Sequence, residues 1–271
     1  KRKFKHVNVD LTKDIANYCK KYHKRLLYIS SISVSGHTTI QSGYGDSSAP
    51  QTGVVFAENN LYIGQQLDNL YIKSKFEAEE YILSNMATGL EAQILRLGNI
   101  TNRSSDGKFQ INPDENAFLS RLKSFIKIGM APENLLQTNL EFTPVDDCAK
   151  AIILIIQNYN KKLSIFHLYN DHFMNMKKLV DFLNSNNITL KIVNSDVFEQ
   201  SIQTLLKDKS KRADLSCIIN DLDSSHQLTY QNLINTSCEF TKFLLKLLGF
   251  TWPTIHTDYL QKYLSNFTKE D

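Results

Sequence analysis

The sequence has no apolar stretch long enough to cross a membrane and no cysteine pattern typical of a metal site. Its longest uninterrupted apolar run, residues 151–156, is far short of the ~20 residues that a transmembrane helix needs. None of the four cysteines has CxxC spacing or a histidine at zinc-ligand distance. The basic opening, residues 1–6, lacks the apolar core of a signal peptide. We therefore expect a cytoplasmic protein with free thiols, without a metal or a membrane segment.

An excess of charge of one sign is also missing. The 31 basic and 28 acidic residues leave a net charge of +3 and are spread along the chain. This balance is too even to favour nucleic acid or an anionic membrane as a partner. The hydrophobic fraction of 42% is ordinary for a globular chain and provides enough apolar residues for a sizeable core.

Glycine is scarce where a nucleotide site would need it. None of the ten glycines forms a GxGxxG or GxxGxxG pattern, and Gly43-Tyr44-Gly45 lacks the third glycine. A dinucleotide site requires such a turn because its backbone N–H groups contact the pyrophosphate. The sequence therefore contains no complete dinucleotide fingerprint.

Helical and strand-like patterns alternate in the first hundred residues. Apolar runs predict buried strands over residues 26–29 and 92–97, and helical spacing predicts helices over 10–24 and 68–88. A further strand is predicted over 165–169. This order favours an α/β fold with a parallel sheet and right-handed crossovers.

The pattern changes after the first hundred residues, and helices predominate towards the C-terminus. We predict a first domain over residues 1–100 and a smaller, mostly helical second domain over 101–271. Residues 139–170 are expected to return to the first domain.

A tyrosine and a lysine stand four positions apart in the second predicted helix. Residues i and i+4 share a helix face, so we expect the Tyr71 phenol and the Lys75 ammonium on the same side. A neighbouring cation favours the phenolate and lowers its pKa, which suits the pair to acid–base chemistry. Because chance alone supplies about one such pair in a chain of this composition, the pair needs supporting context.

Polar residues near the same predicted sheet supply that context. Ser31 follows the first predicted strand, at the carboxyl edge where open α/β sheets place their ligands. The helix with Tyr71 and Lys75 leads into the next strand, so the three side chains are expected to converge on one carbonyl oxygen. Asn8, just before the preceding helix, adds a polar link. Together these residues predict an active site.

Several segments, in chain order, resemble the extended short-chain dehydrogenases/reductases. They are Val7-Asn8-Val9, Tyr28-Ile29-Ser30-Ser31-Ile32-Ser33-Val34, Tyr71-x-x-x-Lys75 and Leu95-Arg96-Leu97-Gly98-Asn99. More narrowly, residues 56–65 with 71–79 resemble the thioester reductase domains that terminate nonribosomal peptide synthetases and carboxylic acid reductases. Residues 143–152 fit a later segment of the same family. The resemblance runs from about Val7 to about Tyr169.

The resemblance implies a role for particular residues. Ser31 would fill the catalytic Ser/Thr place, Tyr71 would be the acid and Lys75 its partner. NADPH is the implied cofactor, and its contacts would come from Tyr71, Lys75, Asn8, Gly98 and Asn99. Ser33 and Glu58 are predicted to contact substrate. Leu11 stands where the family usually has glycine, although Thr12 of the same pattern is retained.

The resemblance also implies that residues 1–100 are part of a Rossmann-like domain that carries the catalytic residues, and that residues 101–271 form the substrate- or carrier-facing subdomain. It implies a reaction and a partner as well. The substrate would be an acyl or peptidyl thioester on a phosphopantetheinylated carrier protein domain, released by NADPH as an aldehyde or, after a second reduction, as an alcohol. The Gly-rich turn of this family lies upstream of the position of Asn8. We therefore expect about 100 residues of the nucleotide-binding part to be missing. These 271 residues alone are then expected to bind cofactor poorly.

Two other functions remain open from the sequence. One is an extended reductase acting on a nucleotide sugar or a small carbonyl compound. The other is a catalytically inactive module that only docks a carrier domain.

Several further residues have a structural alternative to a functional role. Glu58 is interpreted either as a lining residue of the substrate entrance or as a solvated loop carboxylate. Asp146 and Asp147 open a predicted helix, where capping is favoured over catalysis. Arg96 and Asn99 are assigned either to the cofactor side or to ordering a loop. A C-terminal apolar stripe is predicted to be core, namely Phe240, Phe243, Leu244 and Leu247.

Overall fold

The computed structural model describes residues 5–37, 53–67, 69–160, 163–208, 215, 218 and 234–268. The Ser/Gly/Thr-rich stretch 37–53, whose composition predicts a loop, lies mostly outside these residues, as does Cys217. The described cysteines Cys19, Cys148 and Cys238 are buried, and no disulfide joins any two of them. Within the described residues no helix combines the length and the apolar character that a membrane span needs.

Helices and strands alternate along much of the chain. A π-helical segment (Lys5–Asp10) precedes α1 (Leu11–Lys21), β1 (Leu26–Ser31), a 3₁₀ helix (Ile32–Ser35), β2 (Val54–Phe56), α2 (Leu70–Met86), β3 (Ala92–Leu97) and β4 (Ile100–Thr101). Next come α3 (Ala117–Ile128), β5 (Met130–Pro132), β6 (Asn139–Leu140), β7 (Thr143–Pro144), α4 (Val145–Gln157) and β8 (Ile165–Leu168). The chain continues with β9 (Met174–Asn175), α5 (Met176–Ser185), β10 (Lys191–Val193), α6 (Ser195–Lys207), β11 (Ile234–Thr236), α7 (Glu239–Leu247) and α8 (Thr257–Thr268).

The chain divides into two compact units. The first comprises Lys1–Gly98, Cys148–Tyr169 and Asn232–Thr251, and the second comprises Asn99–Asp147, Asn170–Gln231 and Trp252–Asp271. The sequence pattern had assigned residues 232–251 to the second domain. They belong to the first unit because β11 pairs in parallel with β2 and because α7 contacts β8.

The first unit contains a parallel sheet in the order β1-β3-β8. Leu26 of β1 pairs with Ala92 of β3, and Ser31 pairs with Leu97. This arrangement confirms the predicted α/β fold with parallel strands. The pairing aligns the carboxyl ends of β1 and β3, the edge at which the sequence placed its candidate residues.

Helices α1 and α2 pack on one face of this sheet. Side chains alternate along β1, so Tyr28 and Ser30 are buried on this face while Ile29, on the other, is 43% exposed. The buried core beneath the helices consists of Ala16, Cys19, Leu26, Tyr28, Ala78, Ile82, Leu90, Ala92 and Ile94. Helix α2 is thereby fixed against the strand that ends at Ser31.

The second unit has its own apolar core. Helices α3, α5, α6 and α8 contribute most of it, with Leu122, Leu179, Phe198 and Tyr263 among its buried members. Its strands occur in short pairs, of which β6 and β9 are antiparallel.

The C-terminal apolar stripe does not form core as predicted. On α7, Phe243 is 62% exposed and Leu247 is 68% exposed, whereas Thr241 and Leu245 are buried. The Thr241 hydroxyl accepts a hydrogen bond from the backbone N–H of His167 on β8. This bond turns the polar Thr241 inward and leaves the apolar stripe at the surface.

Candidate active site

Tyr71 and Lys75 lie on one face of α2, close to its start. The Asn69 side chain caps this helix by accepting hydrogen bonds from the backbone N–H groups of Tyr71, at 2.8 Å, and Ile72, at 3.4 Å. Asparagine is a preferred N-cap residue because its carbonyl oxygen satisfies N–H groups that have no partner within the helix. The cap therefore fixes the backbone at the turn that carries Tyr71.

The Lys75 ammonium reaches the last residues of β1. Its Nζ donates a 2.9 Å hydrogen bond to the carbonyl oxygen of Ile29. The same atom lies 4.9 Å from the ring centroid of Tyr28 and 5.9 Å from that of Tyr71. Burial lowers the pKa of Lys75, and the Glu79 carboxylate opposes this shift. The lysine thus sits between the predicted acid and the strand that carries the predicted serine.

The Tyr71 phenol differs in one respect from the sequence-based prediction. The residue is 40% exposed, and burial of its phenol raises its pKa above the ordinary value. The expected lowering by the neighbouring cation is wrong for this structure because desolvation dominates. A phenol with a raised pKa keeps its proton near neutral pH, so Tyr71 is in its protonated form in this structure.

Ser31 ends β1 and begins the 3₁₀ helix that follows. Its Oγ accepts a 3.2 Å hydrogen bond from the backbone N–H of Ser33. By the alternation of β1, the Ser31 side chain shares the face of Ile29, opposite the face on which α2 packs, and Lys75 reaches only the backbone oxygen of Ile29. Ser33 is exposed and contributes its N–H to this turn. The structure thus places the candidate hydroxyl on the strand that Lys75 contacts.

Asn8 supports the helix that carries Tyr71. It lies in the π-helical segment, and its Nδ2 donates a 2.9 Å hydrogen bond to the Ser74 hydroxyl. That hydroxyl in turn donates to the carbonyl oxygen of Tyr71, at 2.7 Å. Asn8 therefore contacts the first turn of α2 through Ser74, in agreement with the polar link that the sequence suggested.

Gly98 and Asn99, the predicted cofactor-binding pair after β3, are held by backbone and side-chain contacts. The Gly98 N–H donates to the carbonyl oxygen of Leu168, at 3.1 Å. The Asn99 N–H donates a 2.6 Å hydrogen bond to Oε2 of Glu141. Burial raises the pKa of Glu141 to about 7. Glu141, which no sequence pattern singled out, orders the backbone at Asn99.

Glu58 is not the solvated loop carboxylate that the sequence left open. The residue is only 8% exposed, and its Oε1 accepts a 2.9 Å hydrogen bond from the backbone N–H of Thr241 at the start of α7. An ionised carboxylate buried in this way needs such donors. Its predicted contact with substrate stays a prediction.

Asp146 and Asp147 serve a loop rather than the end of their own helix. Asp146 accepts from the backbone N–H groups of Ser104, at 2.9 Å, and Ser105, at 3.1 Å. Asp147 accepts from the Ser104 hydroxyl at 2.6 Å. Both carboxylates thus bond residues 104–105, which is a different role from the helix cap that the sequence predicted.

A buried polar network that the sequence did not predict lies behind the candidate site. Arg96 is in β3, and its guanidinium forms a 2.7 Å ion pair with Glu79 of α2 in which both side chains are fully buried. The Glu79 Oε1 also accepts a 2.5 Å hydrogen bond from the Ser30 hydroxyl. On its other side, Arg96 contacts His167 at 3.0 Å and donates to the carbonyl oxygen of Asn60 at 2.9 Å.

The bond from Arg96 to the Asn60 carbonyl oxygen fits the loop-ordering role that the sequence left open, whereas its buried ion pair was not predicted. The sequence did contain an indication of the ion pair, because an arginine inside an otherwise apolar strand requires a buried partner. Glu79 was also recognisable as the next member of the Tyr71–Lys75 face at spacing i+4. No pattern in the sequence indicated His167.

The surroundings of His167 determine its protonation state and its tautomer. Burial and the Arg96 charge lower the pKa of His167 to about 3, so the imidazole is neutral. Its Nδ1 lies 2.6 Å from the Ser237 carbonyl oxygen, so Nδ1 carries the hydrogen. Nε2 is then the acceptor for the Arg96 Nη1–H.

The residues present fit one end of a nicotinamide dinucleotide. The half-exposed Tyr71 phenol and the Lys75 ammonium offer a hydroxyl and a cation for a ribose and a carbonyl-containing ring. The sequence offers no turn for the pyrophosphate of such a cofactor, because no Gly-rich turn follows a strand. In the part of the chain that the structure describes, no group of three or more His, Cys, Asp or Glu side chains is arranged to hold a metal ion.

Solved structures of reductase domains are similar to this chain. A thiolation-reductase di-domain from an archaeal non-ribosomal peptide synthetase is 28% identical with a TM-score of 0.79, and the match covers 96% of this chain and 52% of that one. The aureusimine biosynthetic cluster reductase domain is 26% identical with a TM-score of 0.76, covering 98% and 66%. The chain therefore spans about half to two thirds of the length of these structures.

A more distant similarity extends to nucleotide-sugar enzymes. A UDP-glucuronic acid 4-epimerase from Bacillus cereus, in complex with NAD, is 13% identical with a TM-score of 0.55, covering 94% of this chain and 68% of that one. At this identity the likeness shows the fold alone. A search of curated proteins finds no match.

The parallel sheet and its helices place the protein in the class of Rossmann-like reductase domains. The model of the NAD_binding_4 family, described as "Male sterility protein", matches residues 1–152, which is more than half of the chain. The chain belongs to this NAD-binding family, and it resembles the terminal reductase domains of nonribosomal peptide synthetases.

Proposed function

We propose that the protein carries the catalytic side of an NADPH-dependent thioester reductase that releases an acyl or peptidyl chain from a carrier protein domain as an aldehyde. The observation that carries the proposal is the position of Lys75. Its ammonium lies 5.9 Å from the Tyr71 ring and bonds the strand that ends in Ser31. Membership of an NAD-binding family and similarity to reductase domains support the assignment.

In this proposal a bound nicotinamide cofactor supplies the hydride that reduces the thioester carbonyl carbon. Negative charge then develops on the carbonyl oxygen, where the hydroxyls of Ser31 and Tyr71 donate hydrogen bonds. Tyr71 transfers its proton to that oxygen, and the Lys75 ammonium stabilises the phenolate that remains. The resulting hemithioacetal breaks its C–S bond, its hydroxyl proton leaves with the sulfur, and an aldehyde and a thiol are released.

Three groups of residues have distinct parts in this scheme. Asn8 acts through Ser74 on the turn that carries Tyr71. Gly98 and Asn99 are proposed to contact the cofactor from the end of β3. Ser33 and Glu58 are proposed to lie on the substrate side, with Glu58 also bonded to α7.

The proposed substrate is a thioester on the phosphopantetheine arm of a carrier domain. The relative in the archaeal synthetase is a di-domain in which thiolation and reductase parts occur together, which supports a carrier partner here. Because this chain spans only part of such relatives, the reaction is to be assayed in the full natural polypeptide that contains these 271 residues.

The test compares two substrate classes and two tyrosine variants. NADPH consumption is measured with a carrier-bound acyl thioester and, separately, with a nucleotide sugar. We expect turnover only with the thioester, and we expect Tyr71→Phe to lower kcat by about 10²–10⁴-fold because it removes the proton donor. Tyr62→Phe is the matched control, since Tyr62 is 68% exposed.

Two results would replace the proposal with one of its alternatives. Turnover of the nucleotide sugar, but not of the thioester, would favour an extended reductase of the sugar-nucleotide kind. If the unmodified protein consumes no NADPH yet binds the carrier domain, the docking function is favoured. A further result would change the mechanism: if NADPH consumption is the same in Tyr71→Phe as in the unmodified protein, Tyr71 is not the proton donor.

A further inference from the structure

The ion pair between Arg96 and Glu79 is unusual because both side chains are completely buried. The Arg96 Nε–H donates to both Glu79 oxygens, at 3.2 and 3.0 Å, and Nη2 donates to Oε2 at 2.7 Å. Removing two charges from water is costly, and the attraction between them compensates only when further hydrogen bonds satisfy both groups. A buried pair of this kind contributes little net stability, so its presence calls for another explanation.

The hydrogen bonds of the pair connect the parts of the candidate site. Glu79 stands one helical turn beyond Lys75 and two beyond Tyr71, on the same face of α2. Its carboxylate accepts from the hydroxyl of Ser30, which directly precedes Ser31. The pair therefore bonds the helix face with the acid and the lysine to the end of the strand with the serine.

The remaining bonds of Arg96 hold the guanidinium in place. Arg96 Nη1 also contacts Nε2 of His167 on β8, and Nη2 also donates to the Asn60 carbonyl oxygen. The Phe56 ring lies against the guanidinium, with 4.8 Å between the ring centroid and Cζ. Because Nε, Nη1 and Nη2 all have fixed partners, Arg96 cannot shift without breaking several bonds. Glu79 is thus fixed by a rigid partner.

We propose that Glu79 and Arg96 are positioning residues for the reaction: Arg96 anchors the Glu79 carboxylate, and Glu79 holds the Tyr71–Lys75 face against the end of β1 and places its negative charge one helical turn from Lys75. Neither residue touches substrate. The expected effect of Glu79 and Arg96 on turnover rests on the proposed function. Their expected effect on Lys75 does not depend on that function.

The electrostatic part of the proposal concerns the surroundings of Lys75. The groups that face its Nζ are the Ile29 carbonyl oxygen and the rings of Tyr28 and Tyr71, with the Glu79 carboxylate on the next turn of α2. Burial disfavours the ammonium, and Glu79 opposes this effect. Removing the negative charge of Glu79 should therefore lower the pKa of Lys75 further.

The test uses a pair of substitutions that leaves no unpaired buried charge. Glu79→Gln alone strands the Arg96 guanidinium and is expected to unfold the protein or weaken it severely. The double variant Glu79→Gln/Arg96→Met removes both charges and keeps an amide oxygen for Ser30. Glu80→Gln is the matched control, because it makes the same charge change at an exposed position of the same helix.

Two readouts are measured on each variant of the full natural polypeptide. The pKa of Lys75 is followed by NMR of lysine labelled with ¹³C at Cε, with Lys75→Arg identifying its signal. The kcat and KM for the carrier-bound thioester are measured as a function of pH. In the double variant we expect a lower Lys75 pKa and a kcat lowered about tenfold or more, with KM within about twofold, because the reacting groups are misplaced. Glu80→Gln should match the unmodified protein.

The outcomes separate this inference from the proposed function. If the double variant folds and retains both the Lys75 pKa and kcat, the positioning role is overturned. If the pKa is unchanged while kcat and KM change together, Glu79 does not act on Lys75 and the proposal fails in its electrostatic part. If the unmodified protein reduces no thioester but the Lys75 pKa falls in the double variant, the proposed function is wrong while the link from Glu79 to Lys75 stands.

Discussion

The Lys75 ammonium donates a 2.9 Å hydrogen bond to the Ile29 carbonyl oxygen, two residues before Ser31. This contact joins the helix that carries Tyr71 to the strand that carries the candidate hydroxyl. It also explains why Lys75 tolerates burial, because the carbonyl oxygen replaces part of the hydration that the ammonium loses.

The first prediction concerns the different effects of Lys75 on stability and activity. Lys75→Met removes a partly desolvated charge along with one hydrogen bond, so the two effects oppose each other. We expect the free energy of unfolding, measured by urea denaturation, to change by no more than about 1 kcal/mol. Thioester reduction should fall by about 10² or more, because the phenolate of Tyr71 loses its stabilising cation. A loss of several kcal/mol in stability would instead indicate a structural role.

A second prediction tests the cap at the start of α2. Asn69→Ala removes the acceptor for the backbone N–H groups of Tyr71 and Ile72. We expect it to lower the free energy of unfolding by about 1 kcal/mol, whereas Asn69→Asp, which retains a capping oxygen, should have little effect. Thermal unfolding followed by circular dichroism measures both. Equal stability of the alanine and aspartate variants would show that the cap contributes nothing.

The neutral state of His167 leads to a prediction about acid sensitivity. Its pKa in the folded protein, about 3, lies below the ordinary value of 6.5, so the unfolded chain binds a proton more readily. The stabilising effect of neutral His167 is complete above pH 6.5 and is lost as the pH falls towards 3, by on the order of 4 kcal/mol.

Comparison with His167→Gln, which cannot titrate, isolates this effect. The difference in unfolding free energy between the two proteins, measured by urea denaturation from pH 7 to pH 4, should shrink as the pH falls. A difference that stays constant over this range would mean that His167 has an ordinary pKa. The ring should also keep its hydrogen on Nδ1, which ¹⁵N NMR of histidine can detect.

Glu141 should behave in the opposite way. Burial raises its pKa to about 7, so its contribution to stability is complete below the ordinary pKa of 4.5 and is lost as the pH rises through 7. Glu141→Gln keeps an oxygen for the Asn99 N–H and carries no charge. We expect this variant to be more stable than the unmodified protein at pH 8, by about 1–3 kcal/mol, and equally stable at pH 4.

The exposed substitution Glu80→Gln provides the control for Glu141 and should show no such pH dependence. If Glu141→Gln is less stable than the unmodified protein at pH 8, the carboxylate is charged and well solvated, and its role at Asn99 must be reconsidered.

The sequence predicts the scaffold of the site better than the polar network behind it. Strand β3 was predicted with the bounds it has in the structure, because apolar runs identify buried parallel strands. The Tyr71–Lys75 face follows from helical spacing alone. The buried network of Arg96 was not predicted because its partners, Glu79 and His167, come from two other elements that only the folded sheet brings together.

Two other errors have a similar origin. The direction of the Tyr71 pKa depends on how far its phenol is desolvated, which spacing along a helix does not reveal. The stripe on α7 was predicted to be core from its periodicity, yet one hydrogen bond to Thr241 turns the opposite side of the helix inward. Patterns in a sequence identify which side of a helix is apolar but not which side is buried.

The central claim is that the hydroxyls of Ser31 and Tyr71 converge on the carbonyl oxygen of the thioester. Its most direct test is a double-mutant cycle on kcat/KM with a carrier-bound thioester. Ser31→Ala, Tyr71→Phe and the double variant are compared in the full natural polypeptide. If both hydroxyls stabilise the same developing charge, the two losses are not additive, and the double variant is only slightly slower than the slower single variant. Losses that add fully as free energies, or a Ser31→Ala variant with unchanged kcat/KM, would contradict convergence.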